Sequence, residues 1–308
     1  MDLYSIGEIL IDFIPGDQKD SFLRMAGGAP ANVAIAAARN GLEVGFCGKV
    51  GNDVFGTFLT NTLIENQVKV LCPNLATDAT TTMAFVSLEN GERSFCFVRS
   101  PGADSLLSIA DINAEEVESS KIIHANSFSL AKEQVAETVK YVLKLAHEKG
   151  RLVSFDVNYR DIVWNGDKQA AAEKICEILP FVDLLKVSED EIDLIGGYDQ
   201  IAALMKTYHI SILVLTLGER GAQCFWNDKM ITVPAYKGNQ VDTTGAGDAF
   251  WGGFLSKLIS DMYEPADVWT ETLLRQAMRY GAVAGGLCVQ KKGAISALPT
   301  KREIESYL

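Results

Sequence analysis

The residues with the most chemistry in this sequence lie in Val241-Asp242-Thr243-Thr244-Gly245-Ala246-Gly247-Asp248-Ala249-Phe250-Trp251-Gly252-Gly253-Phe254, where small residues lead into a helix-prone run. Free amides at a helix start, unobstructed by bulky side chains, make an anion site that the helix dipole reinforces. Asp248 would repel an anion, so it is misplaced as a phosphate ligand. It fits as a base that takes a proton from a substrate hydroxyl, while the amides of Gly245, Ala246 and Gly247 receive charge developing on a transferred phosphoryl group. The bland alternative is a glycine turn with Asp248 as a favourable first-turn acid. No G-x-x-x-x-G-K-[ST] phosphate loop occurs in the chain. Gly245-x-Gly247 has Phe250 where a dinucleotide fingerprint needs a small residue, and it comes late instead of after the first strand, which disfavours a nicotinamide oxidoreductase.

A second segment, Ala26-Gly27-Gly28-Ala29-Pro30-Ala31-Asn32, offers close backbone approach at its glycines and a helix start at Pro30. Asn32 carries both a donor and an acceptor, the pairing a polyol would use. A loop-to-helix junction with a solvated Asn explains the same residues equally well.

These segments need a scaffold. Apolar runs of strand length at 3–11, 44–47, 121–124, 152–155, 184–187 and 212–216 alternate with helical windows. Over 131–149, Val135, Val139, Val142, Leu143 and Ala146 recur at three- and four-residue spacing, and Gly150 follows as a stop. This is the βαβ pattern of a mostly parallel sheet covered by helices. Two stretches, about 12–25 and 80–100, break the rhythm. In the second, strands over 82–88 and 93–98 flank Asn90-Gly91, a strong hairpin signal. Both read as a small β-sheet lid inserted into one α/β domain spanning 1–308, and the lid's edge strands point to a homodimer.

Composition sets the exclusions. Lys plus Arg is 28 and Asp plus Glu is 40, so the net charge is 28 − 40 = −12, which argues against nucleic acid or an anionic membrane as partner. The longest uncharged run, over 25–38, is 14 residues, short of the roughly 20 a spanning helix needs. Met1-Asp2-Leu3-Tyr4 opens no secretory pattern, so a cytoplasmic location is expected. Six scattered cysteines, several with apolar neighbours as in Phe95-Cys96-Phe97, read as reduced core thiols. His124, His147 and His209 share no metal-ligand spacing, and Phe250 and Trp251 read as core.

The pair Gly27-Gly28-Ala29-Pro30-Ala31-Asn32 and Asp242-Thr243-Thr244-Gly245-Ala246-Gly247-Asp248 resembles the two signature segments of the ribokinase-like (PfkB) carbohydrate kinases, in the same order and separation. Gly48-Lys49-Val50-Gly51-Asn52-Asp53-x-Phe55-Gly56, Asp156-x-Asn158-x-Arg160, Lys186-Val187-Ser188-x-x-Glu191 and Thr216-x-Gly218-x-x-Gly221 resemble intermediate motifs. Within the family, Gly7-Glu8-x-Leu10-Ile11-Asp12, Arg99-x-Pro101-x-Ala103-Asp104 and Gly293-Ala294-Ile295 are most similar to the fructokinase subgroup.

The resemblance implies a three-layer α/β/α core with a β lid, and transfer of a phosphoryl group from ATP to a small sugar, with fructose as the first candidate. It implies Asp248 as base and the Gly245, Ala246 and Gly247 amides as anion hole. Asp12, Gly28 and Asn32 would hold the sugar, with Arg99, Asp104 and Arg160 as further contacts. Thr216, Gly218 and Gly221 would hold ATP, Lys186 would neutralise phosphate charge, and Glu191 would organise Mg2+ through water. Ser188 stands where the family carries Asn, so its role is reduced to a hydrogen bond or a helix cap. A monovalent cation such as K+ would sit beside Asp242 and the 293–297 loop, although Ala297 offers no hydroxyl ligand. The competing readings are a kinase for an aminoimidazole riboside or 2-keto-3-deoxygluconate, and a catalytically silent sugar-binding regulator.

Overall fold

The computed structural model describes residues 1–16, 18, 21–89, 92–261 and 269–308. The first apolar run divides: β1 (Leu3–Ile6) enters the main sheet, and β2 (Leu10–Pro15) pairs antiparallel with β3 (Phe22–Gly27) in a second sheet. The one strand expected over 3–11 is therefore two. Both halves are apolar and buried at their junction, so periodicity carries no mark of the switch between sheets.

Next come α1 (Ala29–Arg39), β4 (Val44–Cys47), α2 (Val54–Glu65) and β5 (Val68–Val70). Pro30 sits in the first turn of α1, where its missing N–H costs nothing. Asp53 caps α2 by accepting from the Phe55 and Gly56 amides. The expected hairpin is β6 (Met83–Glu89) with β7 (Glu92–Val98); its Asn90-Gly91 turn lies outside the described residues.

The other half of the chain alternates helix and strand: α3 (Ala114–Ser119), β8 (Ile122–Asn126), α4 (Glu133–Glu148) and β9 (Leu152–Asp156). It continues with α5 (Lys168–Ile178), β10 (Leu184–Ser188), α6 (Ile201–Tyr208) and β11 (Ile212–Thr216). β12 (Ala222–Trp226) and β13 (Lys229–Val233) turn back antiparallel, and α7 (Ala246–Asp261), α8 (Glu271–Cys288) and α9 (Lys301–Glu305) follow.

The main sheet has nine strands in the order β13-β12-β11-β10-β9-β8-β1-β4-β5, parallel from β11 to β5. Its central strands are buried on both faces, which is why they read as continuous apolar runs. Successive residues serve opposite layers. Leu3 belongs to the apolar cluster that takes in α1, α2, α7 and α8, while Tyr4 belongs to the one that takes in α3, α4, α5 and α6. The second sheet, β3-β2-β6-β7, stands apart from these layers, joined by one parallel pair between β2 and β6.

All six cysteines are unpaired. Cys47, Cys72, Cys224 and Cys288 are buried, Cys176 is half-buried and Cys96 is exposed. The core reading thus fails at Cys96, on the outer strand β7, because apolar neighbours alternate faces along a strand and do not decide which face a residue takes. His124 is buried with its Nδ1 3.0 Å from Ser154 Oγ, and burial, helped by the Lys186 charge, pushes it down to about 3. Trp251 is fully buried and donates from Nε1 to the same Ser154 oxygen at 2.9 Å, so it belongs to the core. Among the described residues no helix is long and apolar enough to cross a membrane.

Candidate active site

A cleft of about 1060 Å³ opens outside the carboxyl ends of β9, β10 and β11, between the two sheets and the start of α7. Open α/β sheets bind ligands in this place, because strand ends and helix starts leave backbone groups unpaired there. Asp12, Gly28, Asn32, Arg160, Lys186, Ser188, Glu191, Thr216, Asp242, Gly245, Gly247 and Asp248 all line it.

Asp248 lies in the first turn of α7 and is 8 % exposed. Its Oδ2 accepts from Asn32 Nδ2 at 2.7 Å, joining residues 216 positions apart. Burial pushes the carboxyl above its ordinary value and the negative charge of Asp156 adds to this, against the Asn32 bond and the charges of Lys186 and Arg160. A carboxylate raised in this way is a stronger base than one in water. Asn32 Oδ1 is buried with no partner among the described residues, so this side chain holds Asp248 with one end and keeps an unused acceptor at the other.

Beside the base, Lys186 Nζ forms a 2.8 Å ion pair with Asp156 Oδ2, and both side chains are almost fully buried. A Cβ placed on Gly247 would stand 3.4 Å from Nζ, so the ammonium abuts the glycine turn. Burial works against its charge, yet Asp156, Glu191 and Asp248 outweigh burial and hold its pKa above the ordinary lysine value. Asp156 is its only hydrogen-bond acceptor among the described residues, which leaves two of three donors for a ligand. Ala246 N is bonded to Thr243 O at 3.2 Å, and Ala246 does not line the cleft; Gly245 and Gly247 do.

On the opposite wall, a Cβ on Gly27 would overlap Asp12 Oδ2, so that carboxylate lies across the glycine pair. Burial pushes Asp12 up to about 6, against the positive charge of Arg160 and with help from Asp248. Gly28 has φ 108, and a Cβ there would meet Glu8 O at 2.5 Å, so only glycine fits. Arg160 is exposed at the mouth and donates to Tyr159 O.

Glu191 accepts from Tyr159 N at 2.8 Å and from Ser188 N at 3.0 Å, one bond per oxygen. It thereby ties the end of β10 to the loop after β9. Asp242 does the same for two other loops, taking Thr244 N and Oγ1 on Oδ1 and Gly293 N on Oδ2. Thr216 ends β11 on the cleft wall, whereas Gly218 and Gly221 form the turn behind it and do not reach the wall.

Arg99 and Asp104 are not among the lining residues. They form a buried ion pair, and the guanidinium carbon sits 4.6 Å from the Phe128 ring centroid. Tyr159, Asp161 and Lys292 are among the lining residues that the sequence did not single out, and Glu8 was visible there only within a motif, with no role attached. Asp156 was visible only as part of a motif, since its partner Lys186 lies on the neighbouring strand. A lone acid inside the apolar run 3–11 was the available signal for Glu8.

Comparison with known proteins gives the family. The model of the pfkB family carbohydrate kinases matches residues 2–301. A fructokinase-1 of Oryza sativa subsp. japonica is 38% identical, over 97% of this chain and 95% of its own. The crystal structure of a Xylella fastidiosa fructokinase with bound ATP superposes with a TM-score of 0.90 at 31% identity, covering 99% of this chain and 97% of that one. A Vibrio cholerae O395 fructokinase in a fructose, ADP and calcium form gives 0.87 at 33% identity, covering 100% and 98%. Matched in this way over residues 2–301 and along nearly the full length of its relatives, the chain belongs to the pfkB family of carbohydrate kinases.

Proposed function

We propose that this kinase transfers the γ-phosphoryl group of ATP to the primary hydroxyl of fructose, giving fructose 6-phosphate. The observation that carries the reading is the buried Asp248, held by Asn32 at 2.7 Å and flanked by the Gly247 turn and the Lys186 ammonium. A buried carboxylate, a glycine-rich helix start and an ammonium meet at one point of the cleft, and this supports phosphoryl transfer, which needs a base, an anion site and a cation together. Similarity to fructokinases along the whole chain supports fructose as the acceptor.

In this mechanism Asp12, the Gly28 backbone and Asn32 Oδ1 orient the sugar hydroxyls. Asp248 accepts the hydroxyl proton as that oxygen bonds to the γ-phosphorus and the bond to the ADP oxygen breaks. The amides of Gly245 and Gly247 and the spare donors of Lys186 hold the charge on the moving group. Asp248 then returns its proton to solvent as product leaves. Ile14, Pro15 and Val86 of the smaller sheet line the cleft and would exclude water as a lid.

Mg2+, when bound, would supply counter-charge to the phosphates. Glu191 would hold it through water, because both of its oxygens already take amides. No cluster of three acids, histidines or cysteines suited to a metal occurs among the described residues, and an ion carried by phosphates needs only one or two carboxylates.

The deciding measurement is ATP consumption across a panel of fructose, an aminoimidazole riboside, 2-keto-3-deoxygluconate and ribose. Fructose is expected to be turned over fastest, with the phosphate on its primary hydroxyl. No turnover of fructose beside rapid turnover of another sugar overturns the choice. A monovalent cation next to Asp242 belongs to the same proposal, since this carboxylate pins the anion-hole loop to Gly293. Replacing K+ by Na+ is therefore expected to lower kcat several-fold, and equal rates in the two buffers would remove the cation from the scheme.

A further inference from the structure

Glu8 sits in the short link between β1 of the main sheet and β2 of the smaller one, and is 2 % exposed. It lines the cleft beside Leu10, Gly28, Ala29 and Phe128. Its Oε1 accepts from Ala29 N at 3.1 Å and from Asn126 Nδ2 at 3.0 Å, and its Oε2 accepts from Ser129 Oγ at 3.3 Å. These are three neutral donors from three separate elements. No ion pair to a cation accompanies them among the described residues, and the negative charge of Asp104 acts on it. Burial pushes the carboxyl up to about 7, with Asp104 adding and the Asn126 and Ala29 bonds opposing. An unpaired carboxyl in such a place is costly, and an apolar side chain would cost less.

What Glu8 holds accounts for its presence. Ala29 is the first residue of α1, so Oε1 satisfies one of the helix-start amides that have no partner within the helix. The Glu8 carbonyl is what forces glycine at position 28, so this one residue seats the Gly28-Ala29 corner with both backbone and side chain. One turn further along α1, Asn32 bonds the base Asp248.

We propose that Glu8 is the positioning residue of the acceptor wall: it locks the start of α1 to the link between the two sheets, and through Asn32 sets where Asp248 meets the acceptor hydroxyl. The inference rests on the reading above that the acceptor sugar lies against Gly28 and Asn32. It concerns hydrogen bonds and reach. Glutamine can keep the acceptor for Ala29 and Asn126 and donate to Ser129, whereas aspartate keeps the charge but falls short by one methylene.

The test compares Glu8→Ala, Glu8→Asp and Glu8→Gln with the wild type, using whichever sugar the wild type phosphorylates, so a wrong acceptor choice does not affect the outcome. Glu8→Ala and Glu8→Asp are expected to raise the KM of the acceptor tenfold or more and to lower kcat several-fold, with the KM of ATP within twofold. Glu8→Gln is expected to rescue most of the loss, with acceptor KM within threefold of wild type. A merely structural role would move both KM values and the folded fraction together. Glu8→Asp close to wild type while Glu8→Gln is crippled overturns the proposal, as does an unchanged acceptor KM in Glu8→Ala. If Glu8→Ala does not fold, the contrast between Glu8→Asp and Glu8→Gln decides alone.

Discussion

Asp248→Asn is expected to lower kcat by about three orders of magnitude while leaving the KM of ATP within a few-fold, because a positioned base contributes roughly 10²–10⁴ to such a step. Asparagine can still accept the Asn32 bond on its carbonyl oxygen, so the geometry at the start of α7 survives and only the proton acceptor is lost. The same variant carries a second signature in stability. The fold holds this carboxyl above its ordinary value, so the native state binds the proton more tightly than the unfolded chain does. Stability from the protonated form is therefore complete below the ordinary carboxylate range and is lost as pH rises through the raised value. Removing the ionisable group removes that loss. Asp248→Asn is expected to melt higher than wild type at pH 8 and no higher at pH 4. Thermal melts at the two pH values check this beside the kinetics, and an active Asp248→Asn enzyme would refute the mechanism. In the wild type, Asp12 adds to the acidic limb of kcat/KM, since below about 6 it loses the charge with which it would accept sugar hydroxyls.

Lys186→Met should be the second most damaging change, and its damage is separable. Methionine fills most of the space but leaves the Asp156 carboxyl 1 % exposed and without its cation. Breaking a buried pair from one side costs about 3–5 kcal/mol. Asp156 Oδ1 already has no partner among the described residues, so none of them offers a second donor to soften the loss. Adding Asp156→Asn removes the stranded carboxyl, and the double variant is expected to regain most of the lost stability. Activity should not return. With the ammonium beside Gly247 gone, the transferred group loses its one buried cation among the described lining residues, and kcat is expected to fall by about two orders of magnitude in both variants. Denaturant melts and kinetics on the single and double variants separate the two effects; activity recovered together with stability would reduce Lys186 to a structural role.

How far the sequence reached can be judged from particular elements. The strands over 44–47 and 212–216 have the bounds that their apolar runs and flanking turns indicated. The hairpin of β6 and β7 appears where the Asn-Gly signal placed it, and α4 appears where the three- and four-residue spacing did. These features are local, because burial on one face imposes its own period on the chain. Asp248 and the glycines before it were legible for a similar reason: a helix start is a local event, and its free amides follow from the backbone.

The charge balance shows the opposite limit. A net charge of −12 argues against nucleic acid and anionic membranes as partners, but says nothing of where single cations stand. Lys186 is buried because β9 and β10 pair with Asp156 opposite it, a register that no composition reveals. Arg99, an equally good cation on paper, is consumed by Asp104. The split of the run over 3–11, the exposure of Cys96 and the burial of Glu8 were undecided for the same reason. Each depends on which sheet, face or neighbour a residue meets across tens of positions. The sequence by itself determined the alternation of strand and helix, the glycine-rich helix start with its acid, and the family, because these are written in local pattern and ordered motifs. The tertiary structure alone decided which acids are paired, which carboxyls are pushed up by burial and which cation meets the site, because electrostatic and desolvation energies depend on distances through space.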